Sequence, residues 1–127
     1  MNTIIITIWA IVYHIMEAMH DYEVIQTQTH YPSHYQVWAN RAWHRFSAAM
    51  LFTLYITIAI ITKNPFLFFL PAAIRGLVFW PCLNVFLHRP ILSTSNHFME
   101  RWFAGKYLII IYLVSAVTLF ILSINAD

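Results

Sequence analysis

Two histidine–carboxylate pairs carry the clearest chemical potential in the chain: Glu17-x-x-His20 and His97-x-x-Glu100, each the reverse of the other in sequence. Residues three apart share one face of a helix, so each pair can offer an imidazole and a carboxylate to a single metal ion. His14 and His44 add further nitrogens. The expected metal set is therefore His14, Glu17, His20, His44, His97 and Glu100. Nitrogen and oxygen donors without a thiolate suit iron, zinc or manganese. Such an ion could polarise an ester or activate water, and a lipid-like substrate would fit the surroundings described below. The lone Cys82 excludes an intrachain disulfide and a Cys-rich metal centre.

These donors meet only if the elements that carry them converge at one end. The chain has 127 residues, is 61% apolar and only 9% charged, and its mean hydropathy is +0.65. A soluble domain of this length could not hide so much apolar side chain, because a small globule keeps a large surface. The fold class expected is an all-α integral membrane protein, a four-transmembrane-helix up-and-down bundle forming a single domain over 1–127. The spans are expected at about 3–22, 43–62, 66–88 and 96–125, each close to the ~20 residues needed to cross a bilayer. Residues 1–19 lack a positive leading region and a small-x-small cleavage site, and are expected to be a retained helix. The stretch 26–40 is polar and aromatic and is expected to be the one long link.

With four alternating crossings, all seven histidines fall at or just beyond one interface, and only Lys63 and Asp127 carry charge at the other. Arg41, Arg45, Arg89, Arg101 and Lys106 lie on the histidine side. By the positive-inside rule that side is cytoplasmic in a bacterial-type inner (plasma) membrane, with both termini outside. A weak net charge of +2, with no basic stripe, gives no support to nucleic-acid binding.

In lipid, polar and small residues face neighbouring helices. The first span carries such a seam at Thr3, Thr7, Ala10, His14, Glu17 and Asp21. The second offers Asn40, His44, Ser47, Ala48, Leu51, Tyr55 and Thr62, and the fourth offers His97, Glu100, Ala104, Ile111, Ser115 and Thr118. The ligand supply is similar to that of di-iron and di-manganese helical bundles, which use Glu-x-x-His on two helices and a further Glu from each of two others. It departs from that plan in having one motif reversed and His44 where a Glu would stand.

The third span contains Pro71 and Pro81 and is expected to be kinked at both. Arg75 lies between them at mid-bilayer depth, where a charge is costly and marks function by default. Arg75 and Asn84 are the candidate substrate-binding residues, as a clamp for a carboxylate or phosphate head. The structural alternative for Arg75 is donation to carbonyls freed by the prolines. Glu17 and Glu100 have an alternative too, in ion pairs with Arg41, Arg45 or Arg101. Interfacial histidines can also simply sit among headgroups, as expected for His30 and His34.

Two other functions remain open at this level. One is a b-type haem held axially by histidines of different helices, with His88 as a cofactor-binding candidate and an Arg for the propionates. The other is a non-catalytic accessory, scaffold or proton/ion-pore protein, whose histidines lead toward Arg75. A homo-oligomer or a larger membrane complex is the expected partner class for so short a bundle, besides the lipid bilayer.

Overall fold

The computed structural model describes the backbone of residues 2–30, 34–92 and 106–127, and the side chains of 2–26, 44–92 and 107–127. The described residues are helical almost throughout: α1 Asn2–His30, α2 His34–Thr62, α3 Phe66–Phe86 and α4 Lys106–Ala126. Four segments among them are long and apolar enough to cross a membrane, at Asn2–Gln26, His44–Thr62, Phe66–Phe86 and Tyr107–Ala126. The chain thus has the architecture of a helical integral membrane protein.

Two boundaries differ from the sequence expectation. The polar stretch 26–40 is mostly helix, because α1 runs on to His30 and α2 already starts at His34. Polarity reports the solvent around a segment, and a helix satisfies its own backbone whether lipid or water surrounds it. The fourth helix is described only from Lys106, so the expected start near 96 lies outside the described residues, as do the side chains of His30, His34, Asn40, Arg41, His97, Glu100 and Arg101.

The Lys63-Asn64-Pro65 turn is built by local chemistry. The Lys63 N–H donates to the Ile60 carbonyl (3.2 Å) and the Asn64 N–H to the Ala59 carbonyl (3.1 Å), the paired bonds that close a helix through one left-handed residue. That residue is Lys63, at φ 54. The end of α3 repeats the device, with His88 at φ 54 and bonds from His88 N–H to Val85 O (3.1 Å) and from Arg89 N–H to Asn84 O (2.9 Å). Glycine usually fills this position, since a Cβ there costs about 1 kcal/mol. Pro65 then opens α3 with its ring-fixed φ of −65, where no amide donor is needed.

Polar side chains tie three segments together at this end. The Asn64 Nδ2 donates to the Ser123 carbonyl (3.0 Å), and its Oδ1 accepts from the Phe66 N–H (3.2 Å). The Thr3 N–H donates to Asp127 Oδ2 (2.9 Å), so a carboxylate satisfies an open amide of the first turn of α1. That bond is the main cause holding the Asp127 carboxyl down at about 2, against an ordinary 3.8. A lowered carboxyl pKa makes the tie fully present above the ordinary range and lost as pH falls through about 2. The amide resonance of Thr3 is therefore expected to titrate with a midpoint near 2; a midpoint near 3.8 contradicts the bond.

The centre of the packing is α3, which lies chiefly against α1 and α4 and less extensively against α2. One buried cluster joins Ala10 of α1, Leu67, Leu70, Ala73 and Ile74 of α3, and Ala116 of α4. A second joins Ala18 to Phe79 and Leu83. Small residues at these crossings let backbones approach, which drives association where lipid competes for every apolar contact. Helix α3 is unbroken through Pro71 and Pro81, although each proline removes the amide that would serve the carbonyl four residues earlier.

The inward faces match the sequence reading on α1, where Thr3, Ala10 and His14 are fully buried. On α4 the buried face is turned by one position. Ala116 and Ser123 are buried and Tyr112 half-buried, while Ile111 and Thr118 are exposed. The cause is Gly76 of α3, whose missing side chain leaves the space that the Tyr112 ring occupies.

Candidate functional site

The seam of α1 delivers its titratable groups to the middle of the bundle. His14 is wholly buried, at 0% exposure. Its Nδ1 lies 2.8 Å from Glu17 Oε2, one helical turn on. Its Nε2 lies 3.3 Å from the hydroxyl of Tyr55, which reaches in from α2. Both ring nitrogens are thus engaged. A neutral imidazole satisfies every group: the Tyr55 O–H donates to Nε2, and Nδ1–H donates to the Glu17 carboxylate. Tyr13 lies edge-on to the ring at 5.3 Å between centroids, and Trp9 packs edge-on to Tyr55 at 6.3 Å.

The charge on Glu17 is met from α3. Arg75 Nη2 donates to Glu17 Oε1 (2.8 Å) and Arg75 Nε to Oε2 (3.1 Å), the two-pronged fit of a guanidinium to a carboxylate. The guanidinium carbon also lies 4.4 Å from the Phe79 ring centroid, a favourable place for a cation over a π face. Tyr55, His14, Glu17 and Arg75 therefore form one hydrogen-bonded chain across three helices. All four sit near the middle of their apolar spans. Glu17 is 18% and Arg75 38% exposed at the side chain, so the chain is closed at His14 and opens toward Arg75.

This pairing bears on two expectations. Arg75 bonds Glu17, and that contact, instead of the carbonyls released by the prolines, supplies its acceptors. The described partner of Glu17 is Arg75, and the side chains of Arg41 and Arg101 lie outside the described residues. Asn84 is buried, and its Nδ2 donates to the Ile91 carbonyl (2.9 Å), fastening the segment that follows α3.

A second polar group lies one turn further along α1. Asp21 Oδ1 is 3.5 Å from His20 Nδ1 and 3.7 Å from His44 Nε2, and both histidines are about half exposed. His20 thus faces Asp21, while the imidazole on Glu17 is that of His14. His88 is exposed at the end of α3. Cys82 is half-buried and free.

The described part of the expected set is split between two places, with His14 on Glu17 and with His20 and His44 on Asp21. Among the described residues no three His, Cys, Asp or Glu side chains converge to hold a metal ion. His97 and Glu100 lie outside the described residues. Tyr55 and Asp21 were in the sequence faces but not in the expected site. Depth alone could have promoted Tyr55 and paired Arg75 with Glu17, since all three are central in their spans. No known family, curated protein or solved structure matches the chain.

Proposed function

We propose that the chain is a small proton-relay protein of the membrane, in which Tyr55, His14 and Glu17, held in place by Arg75, take up and pass protons at mid-bilayer depth. The observation that carries this reading is a fully buried imidazole with both nitrogens in hydrogen bonds, one to a hydroxyl and one to a carboxylate. A ring bonded on both sides can accept a proton at one nitrogen and release one from the other. Carboxylate–histidine chains inside membranes are costly and mark proton pathways. The Glu17 carboxylate accepts from the His14 ring and is oriented by two bonds from the Arg75 guanidinium.

The path has a wet end and a dry end. His20, Asp21 and His44 form a half-exposed rim that leads by one helical turn to Glu17. On the other side of His14 the α1 seam reaches Ala10, packed among Leu67, Leu70, Ala73, Ile74 and Ala116. Thr7 and Thr3 resume the polar seam beyond it. His14 and Thr7 are about 10 Å apart along the helix axis. Passage of a proton therefore requires this apolar layer to part and admit water, which makes it the gate. By the excess of arginine on the histidine side, the rim faces the cytoplasm in an up-and-down bundle.

Proton flux into vesicles carrying the purified protein tests this. Wild-type protein is expected to dissipate an imposed pH gradient, His14→Ala to lose that activity, and Tyr55→Phe to reduce it by removing the hydroxyl at Nε2. Equal flux in wild type and His14→Ala would overturn the relay.

A further inference from the structure

The end of the bundle that holds Lys63 carries a feature the proton path does not use. A groove of about 470 Å³ runs between the last turns of α2 and the first turns of α3. Its floor and walls are Ile56, Ala59 and Ile60 from α2 and Phe68 and Phe69 from α3. Phe68 is fixed in the wall by edge-on contacts with Phe52 (5.4 Å between centroids) and Phe69 (4.8 Å). Lys63 stands at the mouth, directly after the apolar span of α2 and directly before that of α3. In a bilayer this places the ammonium at headgroup level and the groove among the acyl chains.

Lys63 makes no ion pair among the described residues. Its backbone is held in the left-handed conformation by the two turn bonds, so the position of its Cα is set by the turn and not by a choice of rotamer. Side-chain freedom then suffices for the ammonium to stay at the polar surface above the groove. An apolar slot below an unpaired cation at the lipid interface is complementary to a molecule with a negative head and a hydrocarbon tail.

We propose that this groove is a binding site for an anionic glycerophospholipid, with the phosphate on Lys63 and one acyl chain lying between Ile60 and Phe68. The site prefers an anionic head over a zwitterionic one, because a choline or ethanolamine group would bring a second cation beside Lys63. One lysine near a membrane surface gives roughly a fivefold preference. The proposal is independent of the proton path, which lies deeper in the bundle.

The test is native mass spectrometry of the protein released from vesicles of equal parts phosphatidylglycerol and phosphatidylcholine. Wild-type protein is expected to retain phosphatidylglycerol over phosphatidylcholine about fivefold. Lys63→Gln is expected to remove the preference and Lys63→Arg to keep it. Ile60→Trp, at an exposed position, fills the groove and is expected to lower retention of both lipids. Each variant is first shown to keep the wild-type helical content. Equal retention of the two lipids by wild type, or an undiminished preference in Lys63→Gln, overturns the proposal. So does a protein released only as a lipid-free dimer that Ile60→Trp disrupts, since a second copy would then occupy the groove.

Discussion

Replacing Arg75 with alanine is expected to cost about 3 kcal/mol of stability, and replacing Glu17 with alanine somewhat more. Removing one partner of a buried ion pair leaves the other charge without compensation, a loss of about 3–5 kcal/mol. The lower end applies to Arg75→Ala because the Arg75 side chain is 38% exposed and partly screened. Glu17→Ala does more damage, since it also strands the buried Nδ1–H of His14, and an unsatisfied buried donor costs a further 1–3 kcal/mol or so. The double variant Glu17→Gln, Arg75→Gln removes both charges and keeps an acceptor for His14. It is expected to be more stable than either alanine variant, with an interaction energy of about 1–3 kcal/mol across the corresponding cycle. Reversible unfolding in mixed micelles, followed by helical content, measures all four proteins. Single variants within about 0.5 kcal/mol of wild type would show the pair to behave as an exposed salt bridge.

Gly76→Ala is expected to destabilise the bundle by about 1–3 kcal/mol through overpacking. A methyl group at this position falls on the Tyr112 ring at Cγ and both Cδ atoms. Those atoms are the root of the ring and cannot swing aside, so α4 itself must retreat from α3. Retreat opens the contact between Ala116 and the Leu67–Ile74 face of α3. It also disturbs the residue beside Arg75, so a loss of proton flux is expected along with the loss of stability. Tyr112→Ala makes room for the methyl. The Gly76→Ala change is accordingly expected to cost much less in a Tyr112→Ala background than in wild type. Full additivity of the two changes in the same unfolding assay would mean that the ring and the glycine do not limit the approach of α4.

The helices and the α1 seam were legible in the sequence because each rests on a pattern within one segment. Runs of apolar residues of the right length need no partner to be recognised, and the spacing of Thr3, Thr7, Ala10 and His14 defines a face whatever packs on it. What lay between segments was legible only in part. The small-and-polar rule placed the inner face of α4 on Ile111, Ser115 and Thr118; Ile111 and Thr118 are exposed, Ser115 is half-buried like Tyr112, and Ala116 and Ser123 are buried. A large ring turns inward there only because a glycine on another helix makes space for it. The pairing of Glu17 with Arg75 joins residues far apart in the chain, and periodicity carries no information about such pairs. His20 was expected to work with Glu17 because three-residue spacing permits it. The same spacing links His14 to Glu17, and the buried member of the two is the one that forms the bond.

The central claim is that protons move through the buried His14 chain. The most direct measurement is the rate at which an internal pH dye responds when vesicles carrying the protein are given an external acid step, with the membrane potential clamped. The account predicts collapse of the gradient well above the leak of protein-free vesicles, falling to that leak when His14 or Glu17 is replaced by alanine in protein that remains helical. A wild-type rate equal to the protein-free leak would contradict it.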